Sequence, residues 1–149
     1  MLKTALSTVE WNIVETERKK IFVFDHHYQL INTFNAMLKK CHSTSDMTAI
    51  GKYLEYLKAY VLHFFKLEED EMKTYKYPLF DAHKAEHELF KEQVRQHYLE
   101  YAIHGVSLRL FVKTVHWSRE WLENHVCKTD QTMVVYLHGK SINSSKYFH

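Results

Sequence analysis

The chain has 149 residues, 46% of them apolar, with a net charge of +2, only 3 glycines and 1 proline. This length suits one domain with a sizeable core. The near-balanced charge, with no basic stripe interleaved with aromatics, argues against nucleic-acid binding, and Cys41 and Cys127 are too few and too far apart for a disulfide framework. Glu10, Glu15 and Glu17 interrupt any apolar targeting segment and no run approaches membrane-spanning length, so the expectation is a soluble, cytoplasmic protein.

Residues 1–16 read as an extended arm, with Trp11 and Ile13-Val14 available to pack it onto a core. A first helix is expected over about 18–41, with Val23, His27, Leu30, Ile31, Phe34, Leu38 and Cys41 at steps of three and four. His27 lies on that stripe and His26 beside it. After the turn residues His42 to Asp46, where Ser45 or Asp46 can cap, a second helix is expected over about 47–74. Its stripe is Ile50, Leu54, Leu57, Val61, Phe64, Glu68 and Met72. His63 falls off this line, five residues before Glu68 and about 140° around a straight helix from it.

Pro78, the only proline, suits the start of a third helix over about 79–103, ended at His104-Gly105. On it His83 and His87 stand one turn apart on a face continued by Phe90, Val94 and Tyr98, so the pair points into a core. Ser107 caps a fourth helix over about 108–137, with the stripe Leu108, Phe111, Val115, Ser118, Leu122, His125, Thr129 and Met133 and an end at Gly139. Four long amphipathic helices with short loops imply an all-α, up-down-up-down antiparallel four-helix bundle in a single domain, with an N-terminal arm and a polar tail over 139–149.

Each helix offers inward ligands: His27, then His63 with Glu68 or Glu69, then His83 and His87, then His125 and Asp130. A lone inward histidine is usually a hydrogen-bonded core residue, but histidines at core-facing positions of all four helices point to one metal site. Imidazole and carboxylate donors suit iron, zinc or manganese, and the number of donors exceeds what one ion needs. No Glu-x-x-His occurs, so a carboxylate-rich ferritin-type site is not expected.

The chain resembles the hemerythrin family, particularly its bacterial single-domain members. The matching residues are His27-Tyr28-Gln29-Leu30, His63-Phe64 with Glu68-Glu69 and Met72, Tyr77-Pro78 with His83-x-x-x-His87, and Trp121-Leu122-x-x-His125-x-x-x-x-Asp130. The resemblance implies an oxo- or hydroxo-bridged, non-haem pair of iron ions that binds dioxygen reversibly for carriage, storage or delivery. It further implies that His83, His87 and His125 hold one iron, that His27 and His63 hold the other, and that Glu68 and Asp130 bridge. One iron would then keep an open position behind a dry wall of Phe64, Trp121 and Leu122. Sensing through a protein partner, or reduction of peroxide or nitric oxide, are the alternatives. The family spaces the second-helix histidine and glutamate four residues apart, whereas Leu67 stands four after His63. Either a π-bulge near Phe64 to Leu67 returns His63 to the site, or one bridge or one histidine is lost, giving an altered or single-metal site. His26 is left as a competitor for the metal or a donor behind it.

Overall fold

The computed structural model describes residues 25–44 and 46–144. The expected arm, the start of the first helix and the last five residues of the tail lie outside the described residues. Apart from short connections the described chain is helical: α1 (Asp25–Thr44), α2 (Ala49–Thr74), α3 (Phe80–His104), then a fourth rod made of α4 (Leu108–Trp121), a π-helical segment (Leu122–Thr129) and α5 (Asp130–Ser144). Short connections force consecutive rods antiparallel. α1 packs on α2, α2 on α3 and α3 on α4, and α5 returns to α2 to close the bundle. No described helix is long and apolar enough to cross a membrane.

The ends of the rods follow from local chemistry. Asp46 accepts hydrogen bonds from the Thr48 amide (3.0 Å) and hydroxyl (2.5 Å), shaping the approach to α2, but the N-cap itself is Thr48, with no side-chain cap. Ser107 caps α4 as expected, its hydroxyl accepting from the Leu110 amide at 3.0 Å. Gly105, at φ +73°, ends α3, where the absence of a Cβ makes that conformation inexpensive. At the end of α2 the left-handed position is filled by Lys76, at φ +53°. There the Tyr77 amide bonds back to the Met72 carbonyl (2.8 Å) and the Lys76 amide to that of Lys73 (3.2 Å), the paired bonds of a Schellman end. A side chain in that conformation costs about 1–2 kcal/mol. Lys76→Gly is therefore expected to stabilise the protein by about 1 kcal/mol, a rise in the denaturant midpoint with the slope unchanged.

The apolar stripes meet in one main core that includes Phe34 and Leu38 of α1, Leu54 and Phe65 of α2, Phe90 of α3, and Val115 and Leu122 of the fourth rod. A smaller cluster of Met72, Tyr77, Met133, Val134 and Leu137 closes the other side. In sequence, Glu68 falls between Phe65 of the main core and Met72 of the smaller cluster, His83 and His87 fall between Tyr77 and Phe90, and Asp130 falls between Val126 and Met133, with His125 just before Val126. α2 and α3 approach closely at Gly51, where an added Cβ would lie 2.4 Å from the Tyr101 ring.

Three expectations about the rods change. α2 is α-helical throughout, so the π-bulge expected near Phe64 to Leu67 is absent from it. π-helix forms instead in the fourth rod. Gly139 does not end that rod, which continues to Ser144. A glycine inside a helix lowers its stability by only about 1 kcal/mol, which is not enough to stop a long rod.

Candidate metal centre

The site is built from two carboxylates and the rings around them. Glu68 and Asp130 are both 1% exposed. Glu68 divides its oxygens: Oε2 lies 2.5 Å from His26 Nε2 and 3.0 Å from His27 Nε2, while Oε1 lies 3.1 Å from His87 Nε2 and 3.5 Å from His83 Nε2. Asp130 divides its own in the same sense. Its Oδ2 is 3.0 Å from His27 Nε2, and its Oδ1 is 3.0 Å from both His83 Nε2 and His125 Nε2. Each carboxylate thus turns one oxygen to a group of three rings, His83, His87 and His125, and the other to the α1 side.

The π-helical segment is what allows Asp130 to arrive. His125 and Asp130 are five residues apart, and on a straight α-helix they would point about 140° from one another. The Asp130 amide bonds to the His125 carbonyl, an i to i−5 bond. That wider turn brings the two side chains onto one face.

Buried imidazoles need fixed orientations, and this chain supplies them twice over. Three of the rings lie against aromatic plates: Phe65 on His87 (3.8 Å between centroids, 4° between planes), Trp121 on His125 (3.8 Å, 10°) and Phe64 on His26 (4.6 Å, 14°). Two rings are also held from behind by carboxylates. His87 Nδ1 donates to Glu69 at 2.8 Å, and His125 Nδ1 donates to Glu86 at 2.5 Å. A proton fixed on Nδ1 leaves the Nε2 lone pair facing the centre, the arrangement a metal requires. The sequence carries a weak signal for both partners, since Glu69 follows Glu68 and Glu86 precedes His87 on the flank of each stripe. Glu86→Ala is expected to weaken metal binding about 10- to 100-fold, measured by competition with a chelator.

The electrostatics of the metal-free site show how the charges are held. Burial alone would raise the Glu68 carboxyl, but the rings of His26, His27, His83 and His87 around it outweigh burial and hold Glu68 well below the usual range. Asp130 is also held well below its usual range, because the histidine rings around it outweigh both burial and repulsion from Glu68. Burial opposes a charge on His83, yet Asp130 and Glu68 raise it to about 9. Loading a metal at neutral pH must therefore expel that proton.

The donors also pass a geometric test for a metal. His83 Nε2, His125 Nε2 and Asp130 Oδ1 are buried and make no hydrogen bond. The two ring nitrogens nevertheless lie 3.0 Å from that oxygen. Unsatisfied buried polar atoms are costly. Atoms that crowd together without bonding one another converge on a point between them, where a cation would satisfy all three. Imidazole with carboxylate and no thiolate suits iron, zinc or manganese. The described donors within 4.8 Å of one another form two groups that share Glu68: one adds His83, His87, His125 and Asp130, the other His26 and His27.

Of the residues singled out from the sequence, His27, Glu68, His83, His87, His125 and Asp130 are brought together here. His63 is not. It is exposed on α2 and belongs to neither group, because an unbroken α-helix keeps it turned away from Glu68. His26, left open in the sequence, lies inside the site and is 2% exposed. Of the three wall residues, Leu122 is buried, while Phe64 and Trp121 are half-buried against His26 and His125.

Residues 22–137 match the family model described as Hemerythrin HHE cation binding domain. The chain is 31% identical over 126 residues to the Bacteriohemerythrin of Methylococcus capsulatus, covering 85% of this chain and 94% of that one. It is 27% identical over 111 residues to the Bacteriohemerythrin of Stenotrophomonas maltophilia, covering 74% of this chain and 71% of that one. It is also 27% identical over 121 residues to the Myohemerythrin of Theromyzon tessulatum, covering 74% of this chain and 93% of that one. No solved structure gives a significant match.

Proposed function

Because the chain belongs to the hemerythrin family, we propose that it binds dioxygen reversibly at a non-haem di-iron centre inside its bundle. The observation that carries this reading is the division of both carboxylates, each with one oxygen toward the three-ring group and one toward the α1 side. Carboxylates divided in this way would suit bridging between two ions. His83, His87 and His125 would hold one iron with Glu68 Oε1 and Asp130 Oδ1. His27 would hold the other with Glu68 Oε2 and Asp130 Oδ2. When bound, a ferrous pair supplies the electrons that dioxygen binding needs.

The chain's own residues set the terms of that binding. Three rings crowd one side and leave the α1 side with fewer donors, so a small ligand would find room there. Phe64 lies on that side through its stack on His26, while Trp121 covers the three-ring side through its stack on His125. A dry wall hinders departure of a charged form of the ligand by denying it hydration. Glu69 and Glu86 are the nearby carboxylates left over, and both are tied to ring nitrogens of the three-ring group. That position suits orienting ligands better than delivering protons to a substrate on the other side, which favours carriage or storage over reduction of peroxide or nitric oxide.

The test is the optical spectrum of the iron-loaded protein cycled between air and argon. Reversible binding predicts a charge-transfer band that appears under air and vanishes under argon over repeated cycles. No oxygen-dependent band, or steady turnover of peroxide or nitric oxide, would overturn the assignment.

A further inference from the structure

We propose that His26 is an iron ligand, the second imidazole of the α1 side, and that it supplies the nitrogen that α2 does not bring to the site. This inference rests on the di-iron reading and adds a donor to it. His26 is 2% exposed, and its Nε2 lies 2.5 Å from Glu68 Oε2, the oxygen that His27 Nε2 approaches at 3.0 Å. Consecutive residues on a helix diverge by about 100°. Yet both rings reach this one oxygen and meet edge to face with centroids 4.4 Å apart. The other carboxylate turns its own oxygen to the same place, 3.0 Å from His27 Nε2.

The opposite helix explains the arrangement. On α2 the side chain one turn before Glu68, on the same face, is Phe64, which has no donor atom. His63, one residue earlier, is turned to solvent. Phe64 instead lies flat against His26, 4.6 Å between centroids and 14° between planes. Phenyl and imidazole therefore stand face to face, the phenyl where α2 would have offered a nitrogen and the imidazole reaching in from α1. With His26 the donors come to five rings and two bridging carboxylates. The α1 side then holds two nitrogens and two oxygens, so its ion would have room for a bridging oxygen and one exchangeable ligand.

The alternative role for His26 is a hydrogen-bond donor that positions Glu68 without touching metal. Exchanging the two stacked rings separates the roles, because a swap keeps the packed volume and moves only the nitrogen. Wild type, His63→Ala, His26→Phe and the swap His26→Phe/Phe64→His would each be reconstituted anaerobically with ferrous salt. Bound iron per chain would be measured by metal analysis, and helicity by circular dichroism. The expected values are about two irons for wild type and His63→Ala, about one for His26→Phe, and a return to about two for the swap. Two irons retained in His26→Phe, loss of one in His63→Ala, or a swap that stays at one overturns the His26 assignment while leaving the di-iron reading intact. A wild-type chain that takes up fewer than two removes that reading as well.

Discussion

Glu68→Ala is expected to abolish the paired metal site, lowering bound iron from two per chain to at most one. Glu68 is the one residue common to both groups of donors, and its two oxygens face different rings. Truncation would remove one of the two proposed bridges and a negative charge that would help neutralise two cations. The metal-free protein should suffer too. Four rings are arranged around an ionised carboxylate, and deleting one partner of a buried, charge-paired network costs about 3–5 kcal/mol. Glu68→Gln separates these effects. It preserves shape and some hydrogen bonding, so it should recover much of the metal-free stability and little of the iron. Metal analysis after dialysis and a denaturant titration check the two outcomes. Full iron content in Glu68→Ala would show that the carboxylate does not bridge.

Phe65→Ala is expected to produce the largest loss of stability, about 3–5 kcal/mol. Phe65 is 1% exposed, and it tilts against both Phe90 and Trp121 while lying flat on His87. The void left behind would be walled by rigid rings that cannot collapse into it, which places the cost toward the upper part of that range. In a chain of this size the loss corresponds to a fall in Tm of about 10 °C. His87 would also lose the plate against its face, so weaker metal binding should accompany the lower Tm. Phe65→Leu restores most of the buried area without the flat stack. It should recover more stability than metal affinity.

The bundle was legible because long-period signals dominate it. His83 and His87 share a helical face with Phe90 and Val94, and the interruptions at Pro78, Gly105 and Ser107 mark real ends. The site was legible in part, and its two five-residue spacings show why. His63 to Glu68 and His125 to Asp130 have the same separation. A straight α-helix cannot place both members of either pair on one face. The spacing from His63 to Glu68 suggests a wide turn in α2, whereas the structure has it in the fourth rod. The choice is tertiary: Asp130 must turn inward to meet three rings, whereas the α2 side already has His26 beside Glu68. His26 was obscured by its neighbour, since periodicity admits only one of two consecutive residues to a stripe. On α1 a ring one position off the stripe still reaches the interior. Lys76 left no signal at all, since its left-handed conformation is imposed by the turn into Tyr77 and Pro78.

The central claim is that donors from all four rods surround two irons. Anaerobic titration of the metal-free chain with ferrous salt, followed by metal binding per chain, tests it most directly. The proposed bridging by Glu68 and Asp130 between unequal groups of rings predicts a break at two equivalents. A break at one equivalent, or no saturable uptake by a fully helical chain, would contradict it.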